Sequence, residues 1–167
     1  MFQIGQQVMY GIHGVCTILG VEEKKINRKN LSFYVLEPVE QIGARFYVPV
    51  HNVAAVSKLQ PIITQEELIS LLHSDQAGVD TWIEDENRRK MRYREIIVSG
   101  DRIAMINMVN SLFKHKEEQI NAGKKFHLCD ENFLKDALKL LNAEFSLALD
   151  MNQIEVGEYI KNILNKS

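Results

Sequence analysis

Residues 59–72 read Leu59-Gln60-Pro61-Ile62-Ile63-Thr64-Gln65-Glu66-Glu67-Leu68-Ile69-Ser70-Leu71-Leu72, and the period of the apolar residues changes inside this stretch. Thr64 followed by Glu67 has the spacing of a capping box, in which each side chain satisfies a free backbone amide of a first helical turn. Ile63 and Leu68 flank it as a hydrophobic staple. Leu68, Leu71 and Leu72 then give a short helix one apolar face. A helical module therefore opens just after Pro61.

Upstream the pattern is that of short strands and turns. All three prolines (Pro38, Pro49, Pro61) and five of the nine glycines lie before residue 62. Val8 and Tyr10 alternate, and Gly11-Ile12-His13-Gly14 offers a turn. Val15, Thr17, Leu19 and Val21 can share one strand face. The polar run Glu22 to Asn30 reads as a hairpin loop. Leu31, Phe33 and Val35 alternate again, Phe46, Val48 and Val50 follow the Gly43 turn, and Val53 to Leu59 supply a last strand. Five strands in about sixty residues predict a small, strongly curved sheet or barrel, because closure protects the edges of so small a sheet.

Downstream the period is helical. Residues 73–81 read as a linker or loop, with Thr81 capping a helix from about Trp82 to Val98. Ser99-Gly100-Asp101 is a helix break followed by a new cap. Ile103, Ile106, Val109 or Asn110, and Phe113 recur at helical spacing. Asp130 is the expected cap of the next helix, with Phe133 or Leu134, Ala137, Leu138, Leu141, Phe145 and Leu149 along its face. Ile154, Tyr159, Ile160 and Ile163 mark a last helix. The expected order is a β module over residues 1–60 and a compact all-α module over 62–167.

The chain has 167 residues, 46% of them hydrophobic and 25% charged, with a formal charge of -2. No run approaches the 18 apolar residues of a membrane span. The first residues carry neither the basic head nor the apolar run of a signal peptide, so the expected location is cytoplasmic. Two cysteines, Cys16 and Cys129, cannot form a disulfide framework or a four-thiolate zinc site. The five dispersed histidines show no metal-ligand spacing, no glycine-rich phosphate loop is present, and no nucleophile-base pair is spaced for catalysis. The expectation is a protein without cofactor or metal, and not an enzyme.

The average charge conceals a cluster. Arg88, Arg89, Lys90, Arg92 and Arg94 fall within seven positions with no acid among them. On a helix Arg88, Arg89 and Arg92 share about a third of the circumference, a patch able to meet phosphates. Lys124 and Lys125, with Lys114 and Lys116, could widen it. A solvated charged helix is the other reading. Trp82, the single tryptophan, reads either as a buried anchor or as a wedge that unstacks a base step from the minor groove.

Phe2-x-Ile4-Gly5-x-x-Val8-x-Tyr10-x-x-His13-Gly14-Val15, Tyr34-Val35-Leu36 and Val48-Pro49-Val50 together resemble the opening half of the CarD/CdnL family of bacterial transcription regulators. Trp82, Arg88-Arg89, Tyr93, Ser99-Gly100-Asp101, Leu112, Asp130-Glu131, Leu134, Ala137 and Glu144 resemble its helical half. The resemblance covers roughly residues 1 to 160 and is closest to the versions from low-GC Gram-positive bacteria. It implies a Tudor-like or SH3-like β barrel that binds the RNA polymerase β subunit, followed by a helical domain that touches promoter DNA at the upstream edge of the bubble. The implied protein is a monomeric, nucleoid-associated regulator that stabilises the open complex. An adaptor that binds polymerase or another protein without productive DNA contact is the alternative.

By this resemblance the DNA-contacting residues are Trp82, Arg88, Arg89, Arg92, Lys124 and Lys125. In other branches of the family the tryptophan sits two residues before the Arg-Arg pair, whereas here it precedes Arg88 by six, about one helical turn more. The expected polymerase contact comprises Lys24 and Lys25 of the first hairpin, Tyr47, and Arg45. Tyr47 stands where some relatives present an arginine, and Arg45, two positions earlier on the same strand face, is its substitute.

Overall fold

The structure, a computed structural model, describes residues 1–165. Two compact units divide at Ile62/Ile63. Of the expected helical domain, Lys166 and Ser167 lie outside the described residues.

The first unit is a five-stranded antiparallel sheet: β1 (Gln7–Tyr10), β2 (Val15–Ile26), β3 (Lys29–Pro38), β4 (Phe46–Pro49) and β5 (Leu59–Pro61), in the spatial order β4-β3-β2-β1-β5. The terminal strands β4 and β5 are not paired with each other, so the sheet curls without closing into a hydrogen-bonded barrel. The curl is nonetheless strong. Tyr10 of β1 reaches Phe46 of β4 at 5.7 Å between ring centroids, and His13 lies 4.3 Å from Phe46. Val8, Cys16, Ile18, Tyr34, Leu36, Val48 and Leu59 form the core inside this curve.

Three local expectations for this unit are corrected. The buried face of β2 carries Cys16 and Ile18, not Leu19 and Val21, which are exposed. A break of register between Ile18 and Gly20 accompanies this shift, and a one-residue change of phase exchanges the two faces of a strand. Residues 22–30 are not a loop: β2 and β3 remain paired out to Ile26 and Lys29, joined by Asn27-Arg28 with φ of 48° and 65°. Two consecutive left-handed residues are what a tight hairpin turn needs to match the strand twist. The stretch after Asn52 is the short helix α1 (Val53–Val56), capped by the Asn52 side chain, whose Oδ1 accepts the Ala55 amide, and only Leu59–Pro61 returns to strand.

The second unit contains α2 (Gln65–Leu72), α3 (Glu86–Ser99), α4 (Arg102–Asn121), α5 (Leu128–Leu149) and α6 (Gln153–Leu164). Both bonds of the Thr64–Glu67 capping box are formed. Gly100 adopts φ 69° after α3, and Asp101 accepts the Ala104 amide to start α4, as the Ser99-Gly100-Asp101 sequence predicts. Arg89 meets Asp130 and Tyr93 meets Phe133, so contacts advance in the same direction along α3 and α5 and the two run parallel. Arg102 meets Glu144 while Lys116 meets Glu131, so α4 and α5 run antiparallel. Tyr93, Met108, Leu112, Ala137, Phe145 and Val156 lie at the centre of this core. On α6 it is Val156, not Ile154, that is buried.

Three further corrections bear on function. Trp82 is not on a helix: α3 starts four residues later, where Asp85, not Thr81, caps it by accepting the Arg88 amide at 2.8 Å. Asp130 is not the cap of α5; His127 holds that position, and Asp130 is buried in the first turn. Residues 73–81 are not a free linker. Asn107 Oδ1 accepts the amides of Gly78 and Val79 at 2.9 and 3.3 Å, and Asn107 Nδ2 donates to the Gln76 carbonyl. Ser111 Oγ accepts the Thr81 amide at 2.7 Å. One face of α4 thus binds the backbone of this loop along its length.

Candidate functional site

The tethered loop leads straight into Trp82, whose amide donates to Asp80 Oδ1 at 3.0 Å. The indole is half-buried, and two planar groups lie so close to its ring that they would overlap on one side, so they cover opposite faces. The guanidinium carbon of Arg89 lies 4.2 Å from the ring centroid, within cation–π range. The His115 imidazole stacks at 4.0 Å with an interplanar angle of 14°. Arg89 is fixed in turn: Nε and Nη2 donate to Asp130 Oδ1 and Oδ2 at 3.0 and 2.8 Å, and Nη1 donates to the carbonyls of Ile83 and Glu84. His115 sits between two carboxylates, with Asp80 Oδ2 and Glu118 Oε2 each 3.4 Å from a ring nitrogen.

Asp80 joins the loop to α4. Partial burial pushes its carboxyl up, but Lys114, the Trp82 amide and Ser111 together outweigh this and hold it at about 2. Tyr93, below Arg89 in the core, is pushed up to about 12 by burial. Burial likewise pushes the Cys16 thiol up to about 11, so it stays protonated at neutral pH. Among the described residues no three His, Cys, Asp or Glu side chains come together as a metal site would require.

The basic residues separate into two classes. Arg89, expected on the phosphate-facing patch, is 3% exposed, and its donors face Asp130 and two carbonyls. It cannot meet phosphates while so engaged. Arg88 and Arg92 are exposed one turn apart on α3, and Arg92 makes only a loose contact with Glu95 at 3.4 Å. Lys124 and Lys125 are exposed in the connection from α4 to α5. Lys90 is paired with Glu86, and Lys114 with Asp80.

On the first unit, strand pairing sorts the remaining candidates by face. Lys24 opposes Leu31, and Tyr47 opposes Val35, on the outer surface of the sheet, where Lys24 Nζ lies 3.3 Å above the Tyr47 ring centroid. Arg45 joins that surface through its ion pair with Glu37. Lys25 opposes Asn30 on the other side of the ribbon. The structure therefore brings Lys24, Tyr47 and Arg45 to one face and turns Lys25 away.

Sequence reading missed Asp80, Asn107, Ser111 and His115. The signal available was the row Asn107-x-x-x-Ser111-x-x-x-His115, three polar residues at successive helical turns on one side of the helix.

Two comparisons bear on this arrangement. Residues 2–63, which span the sheet unit, match the family described as CarD-like/TRCF RID domain. Along 160 residues, 95% of this chain and 99% of the relative, the chain is 22% identical to the "Putative transcription factor YdeB" of Bacillus subtilis strain 168.

Proposed function

We propose that this chain, whose sheet unit matches the CarD-like/TRCF RID domain and which resembles a transcription-factor relative along most of its length, acts in transcription: its sheet unit binds the RNA polymerase β subunit while its helical unit contacts promoter DNA and stabilises the open complex. The observation that carries the reading is the coincidence of the CarD-like/TRCF RID match with the whole sheet unit. The outer face bearing Lys24, Tyr47 and Arg45 is the surface assigned to polymerase. Arg88, Arg92, Lys124 and Lys125 are assigned to DNA phosphates, and Trp82 to the edge of the bubble. The proposed site of action is the nucleoid, with a monomer as the active form.

No chemical step is needed. A protein that binds the open complex more tightly than the closed one shifts their equilibrium, and a preference of ~1.4 kcal/mol moves that ratio about tenfold. With a net charge of -2, affinity for free DNA is expected to be weak. Tethering to polymerase supplies the missing concentration, on the order of mM for a short linkage. Footprinting of a promoter–polymerase complex with and without the protein tests this. Added protection upstream of the bubble, lost with Arg88→Ala and Arg92→Ala, is expected; an unchanged footprint on a complex that still binds the protein would overturn the DNA assignment.

One observation favours the adaptor reading: Trp82 and Arg89, two of the residues that the family resemblance gives to DNA, spend their surfaces on contacts inside the chain. An adaptor would bind polymerase normally and leave open-complex lifetime unchanged.

A further inference from the structure

We infer that Arg89, held by Asp130, and His115 are positioning residues that clamp Trp82 by its two faces, so that the tryptophan meets DNA as a fixed ring rim and not as a free, face-stacking side chain. The functional half of this inference rests on the DNA contact proposed above.

The clamp has a definite construction. Arg89 lies at 4.2 Å on the indole and His115 at 4.0 Å, the latter ring nearly parallel to it. Neither group is free to leave. A lysine in place of Arg89 would lose the planar fork, which holds both carboxylate oxygens of Asp130 while its remaining donors fix the carbonyls of Ile83 and Glu84. The same guanidinium therefore locks the turn between Trp82 and α3 as well as the ring. His115 is carried on α4 and stacked on the indole, with the carboxylates of Asp80 and Glu118 each 3.4 Å from a ring nitrogen and no hydrogen bond at its buried Nε2. Asp80 also takes the Trp82 amide, so the ring and its backbone are positioned from the same side.

The chemical consequence concerns how a base could be approached. An aromatic side chain that stacks on an exposed base must offer a face. Here both faces are covered, and the uncovered part of the half-buried indole is its rim. A rim can fill the gap at a widened step only if it is held still, because a mobile ring would give up the contact to rotamer entropy on binding. In this chain the extra residues between Trp82 and Arg88 do not lengthen a helix. They form the turn that folds back so that Arg89 can lie on the indole.

The experiment uses the full chain, whose single tryptophan makes its fluorescence a report on position 82 alone. Acrylamide quenching is compared for the wild type, His115→Ala, His115→Phe and Arg89→Lys. Removing one covering ring opens one of two faces, so His115→Ala should raise the quenching constant about twofold. His115→Phe, which keeps a ring and loses the two ring nitrogens, should restore it. Val156→Ala is the control for simple loosening, since a cavity at this buried position on α6 destabilises the unit while Arg89, Asp130 and His115 keep their side chains; its quenching should match the wild type. If Arg89→Lys does not fold, the histidine pair still decides. Unchanged quenching in His115→Ala, or an equal rise in Val156→Ala, would overturn the clamp.

The second readout is decay of the open complex. His115→Ala should approach the shortened lifetime of Trp82→Ala, and His115→Phe should keep the wild-type lifetime. A freely quenched Trp82 in His115→Ala with a wild-type lifetime, against a short one in Trp82→Ala, would overturn the positioning role. An unchanged lifetime in Trp82→Ala itself would overturn the underlying DNA assignment and the functional half of the inference with it, while quenching still decides the clamp.

Discussion

Arg89 and Asp130 stand 41 positions apart in sequence and meet in a two-pronged ion pair with 3% and 1% of their side chains exposed. The pair joins the first turns of two parallel helices, where like dipole ends are brought together. Asp130 places a negative charge at this junction, which offsets that alignment. Breaking such a pair leaves one buried charge without a partner, at a cost of ~3–5 kcal/mol, whereas replacing both partners by apolar groups can be close to neutral. Asp130→Leu and Arg89→Met should each lower stability by that amount in urea unfolding, and the double replacement should recover most of it. Single losses below about 1 kcal/mol would mean that water satisfies the orphaned partner.

Asp80 predicts an acid-sensitive loop. Its carboxyl is held at about 2 in the folded chain against an ordinary value of 3.8. A depressed folded value means that the charged form stabilises the fold above 3.8, and that this contribution declines below 3.8 and is gone below about 2. A shift of this size would convert to ~2.5 kcal/mol, but the side chain is 35% exposed, and screening reduces the expectation to about 1 kcal/mol. Asp80→Asn should lower stability by about that amount at neutral pH and flatten the acid limb of the stability profile. Parallel profiles for the two proteins between pH 4 and 2 would remove Asp80 from the account.

Asn107 predicts resistance to cleavage where composition suggests an open linker. Its carboxamide satisfies three backbone groups of residues 76–79. Asn107→Ala should cost about 1–3 kcal/mol, because those groups lose partners that water replaces only in part. The wild-type chain should be cut slowly within residues 73–81, and the variant rapidly there. Equal cleavage in both would show that the loop opens regardless of α4.

What the sequence made legible was local chemistry. The Thr64–Glu67 capping box, the Gly100 break and the Asp101 cap depend on neighbours three residues away or nearer, and each is found where its residues predict. The strand phase of β2 was misread because it turns on a single residue between Ile18 and Gly20, which apolar alternation in Val15-Cys16-Thr17-Ile18-Leu19 does not locate. The tight turn at Asn27-Arg28 escaped because arginine is an uncommon residue in a left-handed position. At the site, Arg88 and Arg89 are identical in type and adjacent, and only a partner 41 residues away separates an exposed cation from a buried one. Such a distinction lives in tertiary packing and leaves no trace in spacing.

The two lysines of the first hairpin should differ in effect. Lys24 shares the outer face with Tyr47, while Lys25 points to the opposite side of the ribbon. If that outer face meets the polymerase β subunit, Lys24→Glu should weaken binding about tenfold (~1.4 kcal/mol), mostly through slower association at low salt. Lys25→Glu should change it much less. Tyr47→Ala should also weaken binding, and combining it with Lys24→Glu should be less than additive, because the lysine rests on that ring. Biolayer interferometry against the isolated β subunit reads all four. A larger effect from Lys25→Glu would assign the contact to the other face.

Arg88, Arg89 and Arg92 should separate by mechanism on DNA. Each phosphate neutralised releases condensed counterions, so an arginine that touches a phosphate contributes about one unit to the slope of log affinity against log salt. Arg88 and Arg92 are exposed one turn apart on α3, and Arg88→Ala and Arg92→Ala should each lower that slope by about one on polymerase-tethered promoter DNA, with little dependence on sequence. Arg89→Ala should behave otherwise. Its guanidinium is committed to Asp130, Ile83 and Glu84, so no phosphate is lost with it and the slope should hold at temperatures where the variant remains folded. Its signature is instead a lower melting temperature and a more quenchable Trp82. Titration across a salt series, beside thermal unfolding of the same proteins, distinguishes the two. A slope reduced by Arg89→Ala with unchanged stability would require the buried pair to open on DNA and would return Arg89 to the phosphate-facing patch.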